Sequence, residues 1–301
     1  MAAPVAALDV GSNTVHLLVA SVAGGRVHEV RRVVLMPRIG AAVQATGRIG
    51  AEKIDEVCSI VRSLVGVARS CGADVVLLGA TEAVRRASDR DEALRAFGDC
   101  AGVPCLLIPG DTEARLSFRG AVGMAAPSGV ALVCDIGGGS TEVAIGTASH
   151  VDALVSLPIG SGAATDRWLH SDPPTEEQRR ACFSGVLSIL GDAPRAAVDH
   201  AIATGGTAST LPALLGRDRE TPFDAADLDR CRHVLAATPS ADVAAAYDID
   251  PARARVLAGG VEIVDALRSL YALDRIHVTV HGLRTGMILA YAEKGDRWVE
   301  G

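Results

Sequence analysis

Two mixed α/β domains built on one plan are what this sequence predicts. Three observations predict them. The segments ALDVGSNTVHLLVA and VCDIGGGSTEVAIG repeat one pattern: apolar strand, Asp, apolar residue, Gly, small turn, second strand. After each copy, apolar runs of strand length alternate with longer stretches of helical periodicity. The chain has 301 residues, about twice the usual length per domain, and 49% of them are hydrophobic. Only 3% are aromatic, so the cores are aliphatic.

In the first domain, Val5–Val10, the segment GSNTVHLLVASV and the segment GGRVHEVRRVVLM read as three strands joined by glycine turns. A helix is expected over Glu52–Arg69, where Ile54, Val57, Val61, Leu64 and Ala68 share a face. A strand at Val75–Gly79, a helix near Arg90–Phe97, a strand at Val103–Ile108 and a helix at Thr112–Val122 follow. The second domain opens the same way, with strands at Val130–Ile136, Thr141–Ile145 and His150–Leu157. Helices at Ala163–Leu169 and Glu176–Leu190, a strand at Ala201–Thr204 and a helix at Thr207–Leu215 come next. An Asp-rich helical stretch over Phe223–Ala237 precedes a long helix, Pro251–Leu270, expected in the core. A strand at Arg275–Val280 and a helix at Leu283–Glu293 close the chain. The boundaries expected are 1–123 for the first domain, joined by the final helix at 286–301, and 124–285 for the second, the two facing each other across a cleft.

Composition narrows the function. A net charge of −7 argues against general affinity for nucleic acid, which needs a positive field. Lys53 and Lys294 are the only lysines, so the basic residues are nearly all arginine, whose planar fork suits phosphate oxygens. The seven cysteines are scattered, with no C-x-x-C pair, which fits reduced thiols better than disulfides or structural zinc. No basic, apolar leader opens the chain and no apolar run is long enough to span a bilayer, so a cytoplasmic protein without membrane contact is expected.

The repeated turns carry the chemistry. Gly11, Ser12 and Asn13 in the first, and Gly137, Gly138, Gly139 and Ser140 in the second, can each turn backbone N–H groups towards one point and so hold phosphate oxygens. Such residues are also ordinary in tight hairpins; their duplication, with an Asp before each, favours the phosphate-binding role. Asp135 with Glu142 is a plausible pair for Mg²⁺, with Asp9 nearby from the opposite domain. In IPGDTEARLSFRG, Asp111 or Thr112 reads as a helix N-cap. Glu113 then sits in the first turn, either as a charge that suits the helix dipole or as a general base at a strand's carboxyl end. Arg85 follows a strand end and could reach a terminal phosphate; Arg86, Arg90, Arg115 and Arg119 are weaker candidates, since most helix arginines are solvated. The ATGGT turn, with Gly205, Gly206 and Thr207, could hold a sugar, a base or more phosphate, or merely start a helix.

DVGSN, ATEAVRRASDR, GDTEARL, DIGGGSTE, ATGGT and GLRTG, in that order from about Leu8 to Ala290, resemble the exopolyphosphatase/guanosine pentaphosphate phosphatase family. The resemblance implies a duplicated actin-like, ribonuclease H-like fold with the catalytic cleft between its domains. It implies Glu113 as catalytic base and Arg85 on the scissile phosphate. Asp135 and Glu142 would hold Mg²⁺, with Mn²⁺ as a substitute, and the two turns would be phosphate loops. The expected activity is release of orthophosphate from the end of inorganic polyphosphate. The alternatives are 5′-phosphate hydrolysis of guanosine pentaphosphate and a weakly active polyphosphate or nucleotide sensor. A cytoplasmic homodimer is expected. Three features depart from the family pattern: Asp89 stands where Asn is common, GSGAATDRW lacks the usual Arg-Leu, and Thr285 replaces a usual Glu. With 301 residues there is no room for the helical extension of the long members.

Overall fold

A computed structural model describes residues 3–125, 128–218 and 220–300. The chain divides into two compact units, 1–126 with 281–301, and 127–280.

In unit 1, β1 (Val5–Val10) pairs antiparallel with β2 (Val15–Ala23), and β2 with β3 (Arg26–Leu35). After α1 (Ile39–Thr46) and α2 (Ala51–Ser70), the chain returns as β4 (Val75–Ala80), parallel to β1. Then come α3 (Glu82–Arg86), α4 (Arg90–Ala101), β5 (Cys105–Leu107), parallel to β4, and α5 (Gly110–Ala125). The strand order is β3-β2-β1-β4-β5. β1 is buried on both faces, so its near-continuous apolar run splits by parity. Ala6, Leu8 and Val10 pack with Val57, Val61 and Leu64 of α2 and with Phe97 of α4, whereas Ala7 faces Leu116 of α5. The second face is completed by α12 (Leu283–Lys294), which brings Leu283, Met287, Ile288 and Ala290, followed by Trp298.

Unit 2 repeats the plan. β6 (Ala131–Ile136), β7 (Thr141–Gly146) and β8 (Val151–Leu157) form the antiparallel meander, and β9 (His200–Thr204) returns parallel to β6. β10 (Phe223–Asp224) and β11 (Arg275–Val278) extend the order to β10-β11-β9-β6-β7-β8. The helices are α6 (Ser161–Trp168), α7 (Glu176–Leu190), the short α8 (Gly205–Ala208), α9 (Ala225–Ala237), α10 (Ser240–Tyr247) and α11 (Pro251–Leu270). α11 is central to this core, as its apolar sequence suggests: Val256, Leu257, Val261, Ile263 and Val264 are all buried. A capping side chain starts it, with Asp250 accepting from the N–H groups of Ala252 and Arg253.

Where the expected elements differ, the local reason is visible. The helix expected over Thr207–Leu215 is two short pieces, α8 and a 3₁₀ turn at Leu211–Leu215 that carries Pro212 in its first positions. α5 begins at Gly110, ahead of the anticipated cap, because Pro109 O accepts the Glu113 N–H and the helix is under way before Asp111. All seven cysteines are free thiols, and no helix among the described residues is long and apolar enough to cross a membrane.

Candidate active site

The two turns are built alike. In the β1–β2 turn, the Gly11 N–H donates to Thr14 O at 2.9 Å; in the β6–β7 turn, the Gly137 N–H donates to Ser140 O at 3.0 Å. Each is then pinned by the start of a following helix. Gly40 N–H donates to Ser12 O (2.7 Å) and Arg38 N–H to Asn13 O (3.1 Å). Ser161 N–H donates to Gly137 O (2.9 Å) and Ala163 N–H to Gly138 O (3.0 Å). The carbonyls of Ser12, Asn13, Gly137 and Gly138 are thus committed to donors at helix starts. Among the described residues, the N–H groups of Ser12, Asn13, Gly138 and Gly139 have no protein acceptor, and neither does the buried side-chain Nδ2 of Asn13. Such clustered, unmatched donors suit anionic oxygens. The fit is tight: a Cβ at Gly160 would lie 2.5 Å from the Gly138 carbonyl carbon and 2.6 Å from the Gly139 nitrogen.

The next-to-last residue of each first strand is an aspartate. Asp9 is paired across the ladder with His16, and Asp135 with Glu142. In unit 1, Arg284 Nη1 donates to Asp9 Oδ2 at 3.0 Å, a contact between residues far apart in sequence. In unit 2, Glu142 is buried and accepts from Ser156 Oγ at 2.7 Å. Gly205, at φ +91°, runs so close to Asp135 that a Cβ there would sit 2.8 Å from Oδ1. No cluster of three or more metal-ligating side chains forms among the described residues. The carboxylates of Asp135 and Glu142, on neighbouring strands, nevertheless fit a hard cation that takes its remaining ligands from water and phosphate.

Glu113 is buried in the first turn of α5. Its Oε2 accepts from Arg85 Nη1 at 2.6 Å, and the same Nη1 donates to Ile108 O at 2.8 Å. Nε and Nη2 of Arg85 donate to Glu82 Oε2 at 3.2 and 2.9 Å. Arg85, expected on a phosphate, thus has its guanidinium engaged by two carboxylates. The other arginines are spread out. Arg86 and Arg90 are exposed, near Glu82 and Asp91, Arg115 is exposed, and Arg119 bonds Leu289 O and Glu293. Asp89, which stands where the family pattern commonly has Asn, accepts the N–H groups of Ile49 and Gly50, both at 2.9 Å, at the start of α2. Burial works to raise its pKa, but those two amides, with Arg48 beside them, bring it below the usual carboxylate range. Thr285 is buried, within 3.3 Å of His281 Nδ1.

At the ATGGT turn, Thr207 Oγ1 is buried without a hydrogen-bond partner. The guanidinium of Arg253 lies against Gly206, where a Cβ would meet Nη2 at 2.3 Å. Burial lowers the Arg253 pKa to about 10, with Asp250 offsetting part of that cost. Sequence reasoning missed Arg253, Arg284 and Glu82. Arg284 lay within the GLRTG motif and Glu82 within ATEAVRRASDR, but a motif does not show which partner a side chain meets; Arg253 had no local signal.

The profile of the Ppx/GppA phosphatase family matches residues 18–294. A protein of Mycobacterium tuberculosis named Exopolyphosphatase 2 is 33% identical, the alignment covering 96% of this chain and 98% of that protein. The crystal structure of the Aquifex aeolicus Ppx/GppA family member matches with a TM-score of 0.82 at 26% identity, covering 98% of this chain and 99% of that one. An exopolyphosphatase structure from Cytophaga hutchinsonii, at 22% identity and a TM-score of 0.86 over 95% of this chain and 96% of that one, shows the same fold.

Proposed function

Because the chain belongs to the Ppx/GppA phosphatase family, a family of hydrolases, we propose that it releases orthophosphate from the end of inorganic polyphosphate. The observation that carries this reading is Glu113: a buried carboxylate at the start of a helix, aimed by an arginine, in the unit that also carries an amide-lined turn. Glu113 takes a proton from water as the water oxygen attacks the terminal phosphorus. The bridging P–O bond breaks, and the chain leaves one phosphate shorter. Turn amides of Ser12, Asn13, Gly138 and Gly139 hold phosphate oxygens, and being fixed by helix donors they need no reorganisation as charge shifts. Gly205, Gly206 and Thr207, with Arg253, supply a further anion contact in unit 2. Asp135 and Glu142 would hold Mg²⁺ or Mn²⁺, which when bound neutralises charge on phosphate oxygens. The name of the mycobacterial relative supports polyphosphate as the substrate.

The test is phosphate release by the purified protein with Mg²⁺ from short polyphosphate, long polyphosphate and guanosine pentaphosphate, compared side by side. Release from polyphosphate above the pentaphosphate is the expected result. Release from the pentaphosphate alone would move the substrate to that nucleotide, and tight binding of all three without turnover would make the protein a sensor.

A further inference from the structure

Glu82 has no place in the reaction as written above, yet it holds the group that holds Glu113. Four hydrogen bonds of the Arg85 guanidinium can be placed. Nη1 serves Ile108 O and Glu113, while Nε and Nη2 converge on Glu82 Oε2. The Glu113 edge alone would leave the fork able to pivot about that edge. A second carboxylate on the opposite edge fixes the plane. The site is also shielded: side-chain exposure is 16% for Arg85, 13% for Glu82 and 9% for Glu113. Glu82 is itself well anchored. It opens α3, whose start is tied to the end of β1 by the Thr81 N–H donating to Val10 O and continued by the Arg85 N–H donating to Thr81 O. One short helix therefore carries both the arginine and its brace, three residues apart, at the end of the strand beside β1.

We propose that Glu82 is a positioning residue that acts only through Arg85: it fixes the guanidinium plane, and the guanidinium aims the Glu113 carboxylate at water. This rests on the reading of Glu113 as the proton acceptor. It explains why the guanidinium that bonds Glu113 is held on its opposite edge by a second carboxylate.

A double-mutant cycle tests it on the intact protein with polyphosphate as substrate. Glu82→Ala should lower kcat about tenfold, in line with the cost of misaiming a catalytic group. Glu82→Gln, which keeps one acceptor oxygen, should recover to within about threefold of wild type. In an Arg85→Ala background, either change at Glu82 should alter kcat by less than about twofold, because the path through Arg85 is already gone. Equal losses in both backgrounds would overturn the proposal, as would wild-type kcat in Glu82→Ala. Should Glu82→Ala fail to fold, Glu82→Met, which keeps the side chain's bulk but removes both acceptor oxygens, carries the cycle with the same criterion. Wild-type kcat in Glu113→Gln would overturn the functional reading and this proposal with it. A large loss in Glu113→Gln alongside wild-type kcat in Glu82→Ala would overturn the Glu82 proposal alone.

Discussion

Asp89 shows how a side chain's partners, rather than its position in a motif, decide its work. It stands within ATEAVRRASDR, beside residues assigned to phosphate, yet its two oxygens take the N–H groups that would otherwise be unmatched ahead of α2. Asp89→Ala should destabilise the protein by about 1–3 kcal/mol at neutral pH, the usual cost of stranding buried donors. The pH dependence has a definite sign. Because the folded-state pKa of Asp89 lies below its unfolded value, its contribution is present above the unfolded value and fades as pH falls through the folded one. Denaturant melts of wild type and variant should therefore converge at acid pH; an undiminished gap there would contradict the assignment. The two turns were legible as turns because turn chemistry is local: Gly, Ser and Asn soon after Asp9, and three Gly and a Ser soon after Asp135. The pairings of Arg284 with Asp9, of Arg253 with Gly206 and of Arg85 with Glu82 were not, since each depends on how elements approach or on which rotamer a long side chain takes.

At the scale of the element, strands were easier to read than short helices. Short runs rich in β-branched and apolar residues, with glycine turns between them, mark β1 to β3 and β6 to β8 almost to the residue, and the 3.6-residue stripe marks α2 and α11. Three helices were overlooked. α1 has alternating small and apolar residues, no side-chain cap and Arg38 at φ 54° before it, so neither periodicity nor a start signal shows. α3 spans five residues, too few to display a period. α10, SADVAAAY, has alanines on most of its faces and no capping bond. Of these, α1 matters because its start pins the β1–β2 turn, as the start of α6 pins the β6–β7 turn. Gly160→Ala places a methyl group where the Gly138 backbone already lies. The β6–β7 turn must shift, and polyphosphate turnover should fall at least about tenfold with secondary structure intact by circular dichroism. Turnover equal to wild type would show that this turn does not position substrate. Phe97 of α4 is fully buried in one cluster with Val57, Val61 and Leu64 of α2. Phe97→Ala should cost about 3–5 kcal/mol of stability, read as a lowered denaturation midpoint with unchanged slope.

For the whole molecule, the repeated plan is the main result. Strand orders β3-β2-β1-β4-β5 and β8-β7-β6-β9-β11 are the same sequence of antiparallel meander and parallel return. The repeat was visible in the sequence because the first strand–turn–strand of each half keeps its motif. The closing segment is where chain order and structure part, since 281–301 completes unit 1 after unit 2 has been built. Removing residues 281–301 would take Leu283, Met287, Ile288, Ala290 and Trp298 out of a buried cluster. Unit 1 should then lose its cooperative unfolding transition, while the fragment 127–280, which has its own core, should keep one. Calorimetry of the two truncated chains checks this directly, and a cooperative unit 1 without that segment would contradict it.

The most direct measurement is made on Glu113→Gln, comparing phosphate release from polyphosphate with binding of a short polyphosphate by titration calorimetry. The change keeps the side chain's size and an oxygen for Arg85, and removes the ability to accept a proton. Turnover should fall by about 10²–10⁴-fold, the contribution of a positioned general base, with affinity for the phosphate chain within about threefold of wild type. Turnover retained, or turnover and affinity lost together, would contradict the role of Glu113 as proton acceptor.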